Sequence, residues 1–300
     1  MSEHFYAVGN VTVDDLVFSD GHTCMNVPGG NSVYSALGSR LWNAQTSIVS
    51  VSGPEYPLAT LEALGVSLEY LRSSMPSTLR NWGLYEDNGT RQFIFRGQHV
   101  RWEDYSPLPA DLPAETGGHY HLAPLPFSHQ ASMVAALRER DVHTITLDPD
   151  DRQLAVIGVS DIRALLLQVD AFLPSRQDVA VLFPNLVPQA ALLALRDLCP
   201  ETPVIAVKLG QEGVILNLRH GSSTVQVPAY HMDAIDPTGA GDAFCGGFLY
   251  GYAITQDPVE AALAGSVSAS FAVEGIGIDG LKAATAAEAE RRLASLRAQL

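Results

Sequence analysis

Asp236-Pro237-Thr238-Gly239-Ala240-Gly241-Asp242-Ala243-Phe244-Cys245-Gly246-Gly247-Phe248-Leu249-Tyr250 sets two carboxylates around a turn of small residues, directly ahead of a helix-compatible apolar run. Glycines let the backbone approach a bound group closely and adopt torsion angles that other residues avoid. A helix that begins at such a turn aims its unpaired N–H groups, with roughly half a positive charge, at whatever lies in front of it. The turn is therefore a candidate anion site. Asp242 at its rim would only repel an anion, unless it takes a proton from a hydroxyl that attacks a phosphate. The alternative is a plain glycine turn before a buried helix, with Asp242 as a first-turn cap.

The rest of the chain narrows the choice. Its 300 residues carry 18 Lys+Arg against 33 Asp+Glu, a net charge of −15. That balance excludes nucleic acid or an anionic membrane as the main partner. Lys208 and Lys282 are the only lysines, so a phosphate site must be built locally from backbone N–H groups, a metal and a few cations. Cys24, Cys199 and Cys245 fit no zinc motif and read as reduced thiols of a cytoplasmic protein. The N-terminal Met1 to Val8 lacks a basic region and a long apolar core, and reads as a first strand rather than a signal peptide. No Gly-x-x-x-x-Gly-Lys-Ser/Thr loop occurs. Gly275-Ile276-Gly277-Ile278-Asp279-Gly280 matches a dinucleotide pattern, but a helix precedes it where a strand is required, so it reads as a helix end and loop. The nine histidines show no metal spacing, and His119 and His121 read as structural residues on a strand.

Strand and helix patterns alternate along the chain. Helices are expected at Asn31 to Trp42, Pro57 to Leu64, Ser128 to Arg138, Asp161 to Gln168, Pro188 to Leu198, Ala240 to Ala253, Val259 to Val273 and Ala286 to Leu296. Strands are expected at Phe5 to Val8, Thr46 to Val51, Tyr120 to Leu122, Thr144 to Leu147, Ala171 to Leu173 and Val204 to Val207. A hairpin of Val214 to Leu218 and Thr224 to Val227 turns at Gly221. This order predicts an α/β fold of three layers, a mostly parallel sheet with helices on both faces. Thr12 to Val27 and Thr78 to Arg96, the latter turning at Asp87-Asn88-Gly89, break the alternation and predict a small separate sheet.

The Asp236–Phe244 run resembles the C-terminal signature of the ribokinase-like (PfkB-type) sugar kinases, Asp-Thr-x-Gly-Ala-Gly-Asp followed by Ala/Thr-Phe. Pro237 replaces the usual Thr. The resemblance implies one kinase unit over residues 1–300, with a lid formed by about 12–28 and 77–103. It implies an ATP- and Mg²⁺-dependent transfer to a hydroxyl, expected to be a hydroxymethyl, of a small sugar or polyol. Asp242 becomes the general base, and the N–H groups of Gly239, Ala240 and Gly241 the anion hole. Gly29-Gly30 resembles the family's sugar-side turn, so Gly29, Gly30, Asn31 and Tyr34 are expected at the substrate. Gly29-Gly30 with Asn31 as a helix N-cap is the plainer reading. Asn10 and Asp14 stand where relatives bind sugar hydroxyls, and a carboxylate suits a vicinal diol. Asp14 also reads as a solvated loop carboxylate beside Asp15. Leu173 to Asp178 occupies the place of the family's Asn-x-x-Glu, with Ser175 toward the nucleotide and Asp178 toward Mg²⁺, or else both as a helix cap. Lys208, Gly210 and Gly213 resemble the nucleotide loop, and Ser266 the adenine pocket. Asp236 and Thr238, with the backbone near Val273 and Ile276, resemble a monovalent-cation loop that would take K⁺. Tyr34, Asn81, Arg96 and Arg101 are expected to face the pocket, and the lid edge to join a homodimer. A nucleoside kinase of the same fold, and a non-catalytic sugar or nucleotide sensor on this scaffold, are the alternatives.

Overall fold

The computed structural model describes residues 3–87, 91–97, 100–219 and 224–300, so Asn88, Gly89 and Gly221 of the expected turns lie outside it. Strand β1 (His4–Val8) leads into β2 (Thr12–Val17) and β3 (Thr23–Gly29), then α1 (Asn31–Arg40), β4 (Gln45–Ser52), α2 (Leu58–Ala63), β5 (Val66–Ser67) and β6 (Leu71–Ser73). Strands β7 (Leu79–Tyr85) and β8 (Arg91–Phe95) follow. Next come β9 (His119–Leu122), α3 (Phe127–Arg138), β10 (Thr144–Leu147), α4 (Asp151–Leu154), α5 (Val159–Leu166), β11 (Ala171–Phe172), α6 (Arg176–Leu182) and α7 (Pro188–Leu198). The chain closes with β12 (Val204–Lys208), β13 (Val214–Leu218), β14 (Thr224–Val227), α8 (Ala240–Thr255), α9 (Pro258–Ala272), α10 (Asp279–Ala283) and α11 (Ala286–Arg297).

The large sheet runs β14-β13-β12-β11-β10-β9-β1-β4-β5, with β6 also on β4. Its centre is parallel and only the β12-β13-β14 edge is antiparallel. Strand residues alternate between two cores. Ala171, Val204 and Ala206 face the core shared with Val33, Phe248 and Val267, while Phe172, Ile205 and Val207 face the one shared with Met133, Leu165 and Leu192. Strands buried on both faces need helices on both faces, which is the three-layer arrangement. Each fully buried Leu or Phe contributes roughly 1.5–3 kcal/mol to holding those layers.

A second sheet, β3-β2-β7-β8, stands apart. Two antiparallel pairs meet through the parallel pair β2–β7, which places Asp14 beside Asn81. Asp15, with no exposed side-chain surface, is the latch of this sheet: Arg80 and Arg96 pair with it, and the Asn26 N–H donates to it at 2.9 Å. These contacts hold its carboxyl below the usual range against the opposing effect of burial.

Helices α4 and α10 went unforeseen, and α6 was foreseen only through the cap reading of Ser175 and Asp178, because four to seven residues carry too little periodicity to register. The expected helix to Trp42 ends at Arg40, where Asn43 with φ of 60° turns the chain. Among the described residues no helix is long and apolar enough to cross a membrane.

Candidate active site

The parallel strands end on one side of the large sheet, where open α/β sheets gather their ligands. Asn10 follows β1, Asp148 follows β10, Ser175 follows β11 and Lys208 closes β12. Helices α1 and α8 begin on the same side. They touch backbone to backbone, because a Cβ on Gly246 would overlap the Ser35 carbonyl and one on Gly38 the Ala243 carbonyl. This contact seats the Tyr34 ring under Gly239, whose φ of 76° and lack of a side chain let the 236–242 turn close over it.

A cavity of about 280 Å³ opens there. Asp242, Gly239 and Thr238 line one wall, Asn10, Asp14, Gly30, Asn31 and Tyr34 the floor, and Asn81, Arg91, Phe93, Phe95, Trp102 and Arg152 the side toward the second sheet. The two carboxylates expected to act on one substrate therefore share one cavity. Asp242 opens to it while protein surrounds its other sides, and this desolvation raises its carboxyl to about 6, with Lys208 and Arg91 pulling it back. At that value Asp242 is ionised at neutral pH and still basic enough to take a proton.

Asp14 is not a solvated loop residue. It is 5% exposed, its Oδ1 accepts from Asn81 Nδ2 at 2.8 Å and its Oδ2 from Thr12 Oγ1 at 3.1 Å. Burial lifts its carboxyl to about 6 against those bonds. Gly29 is required beside it, since a Cβ would come 2.7 Å from Asp14 Oδ2.

Several expected roles change. Gly30, not Asn31, caps α1. Asn31 spends its amide on the Asn10 N–H and the Pro124 carbonyl, at 2.8 and 2.7 Å. Asn10 accepts from Trp102 Nε1 and donates to the Tyr105 carbonyl, at 2.7 and 2.8 Å, so both asparagines shape the cavity floor. Arg96 turns away to Asp15 and Trp82, and Arg101 lies exposed near Asp104; neither lines the cavity. Ser266, expected beside adenine rather than in this cavity, is buried on α9. Gly213, with φ of 86°, lets the chain entering β13 pack backbone to backbone against Val227 and Pro228, and Gly210 sits in the same turn.

Behind the 239–242 turn lies a charged cluster. Lys208 Nζ donates to Asp148 Oδ2 at 2.5 Å and lies 3.4 Å from Cys245 Sγ. Lys208 is thus neither exposed nor idle, and a Cβ on Gly241 would stand 3.6 Å from its Nζ. Asp178 closes the cluster: burial, then Asp148, pushes its carboxyl up to about 7. Ser175 and Asp178 form a capping box at α6, with the Ser175 N–H and hydroxyl donating to Asp178 Oδ2 at 2.6 and 2.5 Å. Two buried carboxylates beside one lysine supply hard oxygen donors of the kind that suit hydrated Mg²⁺. Asp236 is 1% exposed; its Oδ1 accepts from Tyr85 Oη and the Thr238 N–H at 2.8 and 2.9 Å, while its Oδ2 is buried without a partner among the described residues. The Val273 carbonyl, expected in the cation loop, already accepts from the Ile235 and Asp236 N–H groups.

Asp148, Arg91, Trp102 and Arg152 were missed from the sequence. Asp148 and Arg152 carried a usable signal: the run Asp148-Pro149-Asp150-Asp151-Arg152 directly follows an expected parallel strand. Residues 58–282 match the pfkB family carbohydrate kinase. The chain belongs to that family. It is an ATP-dependent kinase with an alcohol group as acceptor. This pfkB kinase is 23% identical over 248 residues to the cytidine kinase of Thermococcus kodakarensis, covering 82% of this chain and 87% of that one. Its fold superposes on the fructokinase of Vibrio cholerae O395 bound to fructose, ADP and calcium, with TM-score 0.75 and 19% identity over 97% and 99% of the two chains. It superposes equally on the Burkholderia thailandensis nucleoside kinase in complex with inosine, with TM-score 0.75 and 18% identity over 98% of each chain. Sugar and nucleoside kinases thus stand equally near this pfkB kinase.

Proposed function

We propose that this kinase phosphorylates the hydroxymethyl group of a small sugar ring held in the cavity between Asp14 and Asp242. The observation that carries the proposal is that single cavity, with a buried diol-binding carboxylate on its floor and a base beside a glycine turn on its wall. Asp14 and Asn81 bind neighbouring ring hydroxyls. Asp242 accepts the proton of the hydroxymethyl group as its oxygen bonds to the transferring phosphorus. The N–H groups of Gly239, Ala240 and Gly241, backed by the charge of Lys208, hold the negative charge that develops there. Asp148 and Asp178 would hold hydrated Mg²⁺, which neutralises the phosphate oxygens of ATP. The nucleotide lies along the Lys208–Gly213 loop.

In this reading residues 1–300 form one catalytic unit. The second sheet is its lid, already joined to the turn by Tyr85, which lies 2.6 Å from Thr238 Oγ1, and by Arg91, which donates to the Pro237 carbonyl at 3.3 Å. The unpartnered Asp236 Oδ2 accommodates a monovalent cation, and K⁺ accelerates turnover relative to a bulky organic cation; equal rates in the two salts would remove this element. Strands β3 and β8 at the lid edges pair two copies into a dimer.

A specific observation favours a second substrate reading. Phe93, Phe95 and Trp102 line the lid side, and the Arg152 guanidinium stacks 4.8 Å from the Trp102 centroid. Such a wall fits a planar base attached to the sugar, as in a nucleoside. A coupled ADP-release screen over sugars, sugar acids, polyols and nucleosides decides between them. Turnover of free sugars alone rejects the nucleoside reading; turnover of nucleosides alone rejects the simple sugar; no turnover on any, with ATP bound, refutes the proposal.

A further inference from the structure

At the opposite edge of the large sheet, Glu3 lies just before β1, His119 opens β9 and His143 lies just before β10. Strands β1, β9 and β10 are parallel neighbours, so their N-terminal ends converge while Asn10 and Asp148 lie at their far ends. A strand rises about 3.3 Å per residue, which separates this edge from the catalytic cavity by roughly four residues of strand. One ligand atom from each of Glu3, His119 and His143 lies within 4.8 Å of the others. Glu3 Oε2 is 2.5 Å from His119 Nε2 and 3.7 Å from His143 Nδ1.

We propose that Glu3, His119 and His143 form a binding site for a transition-metal dication of the Zn²⁺ class, with water completing the coordination. Two imidazoles and a carboxylate are a donor set that such ions prefer over Mg²⁺. Bonds of 2.0–2.2 Å in a tetrahedron place ligand atoms about 3.3–3.6 Å apart. The Glu3–His143 separation of 3.7 Å lies just outside that range. The Glu3–His119 pair is a hydrogen bond that opens by about 1 Å on metal binding, and Glu3 is free to make that move, its side chain being 47% exposed.

The orientation of His119 is built in. It is buried, and its Nδ1 lies 2.9 Å from Thr144 Oγ1. The Thr144 hydroxyl donates to Nδ1 when Nε2 carries the hydrogen, and accepts from Nδ1–H when Nε2 binds a metal. The change is a tautomer switch within a neutral ring, with no net proton released by His119. Such an outer partner fixes ring direction in metal-binding histidines. His143 is placed by its N–H donating to the Gly118 carbonyl at 2.9 Å and by its ring standing edge-on to His119 at 5.3 Å between centroids.

The test is titration of the full-length protein with Co²⁺ or Zn²⁺ in excess Mg²⁺, followed by visible Co²⁺ absorption and calorimetry. Wild type binds one ion that His143→Ala and Glu3→Gln each weaken at least tenfold. Both variants keep wild-type melting temperature without metal and wild-type Mg²⁺-dependent turnover, because both side chains are substantially exposed and remote from the cavity. His119→Ala is not needed, so its folding does not decide the outcome. No binding by wild type, or undiminished affinity in either variant, overturns the proposal. It does not rest on the kinase reading: loss of turnover in Asp242→Asn with Co²⁺ binding intact separates the two.

Discussion

Gly29→Ala is a clean probe of the Asp14 carboxylate and its proposed substrate role, because Gly29 does not use a left-handed backbone and alanine adds no torsional penalty there. The added Cβ would lie 2.7 Å from Asp14 Oδ2 and 3.3 Å from Thr12 Oγ1. Ordinary carbon–oxygen contact begins near 3.4 Å, so the carboxylate must retreat about 0.7 Å. It has little room, being 5% exposed and held by Asn81 and Thr12. Overpacking of this kind costs about 1–3 kcal/mol. A hydrogen bond to a charged group contributes about 1.5–3 kcal/mol, so losing one to a sugar hydroxyl lowers kcat/KM about 10- to 150-fold. The loss falls on the acceptor KM, while ATP affinity holds, because the Lys208–Gly213 loop proposed for the nucleotide follows β12 of the large sheet, whereas Gly29 ends β3 of the second. Steady-state kinetics with each substrate varied, together with urea unfolding, measure both halves. In Gly29→Ala/Asp14→Ala the clash disappears, so the double variant is no worse in stability than Asp14→Ala alone. A wild-type acceptor KM in Gly29→Ala would refute the assignment of Asp14 as a substrate ligand.

Three further outcomes follow from the site. The kcat of the wild type falls tenfold per pH unit below about 6, the value to which burial raises Asp242, because only its ionised form accepts a proton; Asp242→Asn loses about 10²–10⁴ in kcat and its acid limb while retaining ATP, and a surviving limb in this variant assigns the titration elsewhere. Lys208→Met strands Asp148 and Asp178 and destabilises by about 3–5 kcal/mol in denaturant unfolding, with much of the loss recovered in Lys208→Met/Asp148→Asn; its residual activity shows the acid limb moved to higher pH, and an unmoved limb denies Lys208 any influence on the base. Tyr85→Phe keeps the ring contact with Phe18 but removes the hydroxyl shared by Asp236 and Thr238, so kcat drops about tenfold with little change in melting temperature; unchanged kcat would mean that the lid does not position the turn.

The order of strands and helices and the glycine turn were legible in the sequence because their signals are local. An alternating apolar pattern, a helix start and a run such as Asp236 to Phe244 each lie within one strand–turn–helix unit. Thr12 to Val27 and Thr78 to Arg96 showed themselves as a separate sheet by the same local rule, through lost helical periodicity. What partners those units would find was not legible. Lys208 meets Asp148 across 60 residues, Cys245 meets Asp148 across 97 and Tyr85 meets Asp236 across 151. No period or spacing records such encounters. Asp15 drew notice only as the neighbour of Asp14 and became the latch of the second sheet because β2 lies beside β7. Asn31 looked like a cap and became a tie between strand ends. The nine histidines showed no metal spacing in the chain, yet two of them and Glu3 converge because three parallel strands begin side by side. Sequence alone determined what the longer segments are, since short-range sterics and burial act within a segment. Tertiary structure decided which charges share a low-dielectric space, and so which carboxylates line the cavity, as Asp14 and Asp242 do, and which is a strut, as Asp15 is.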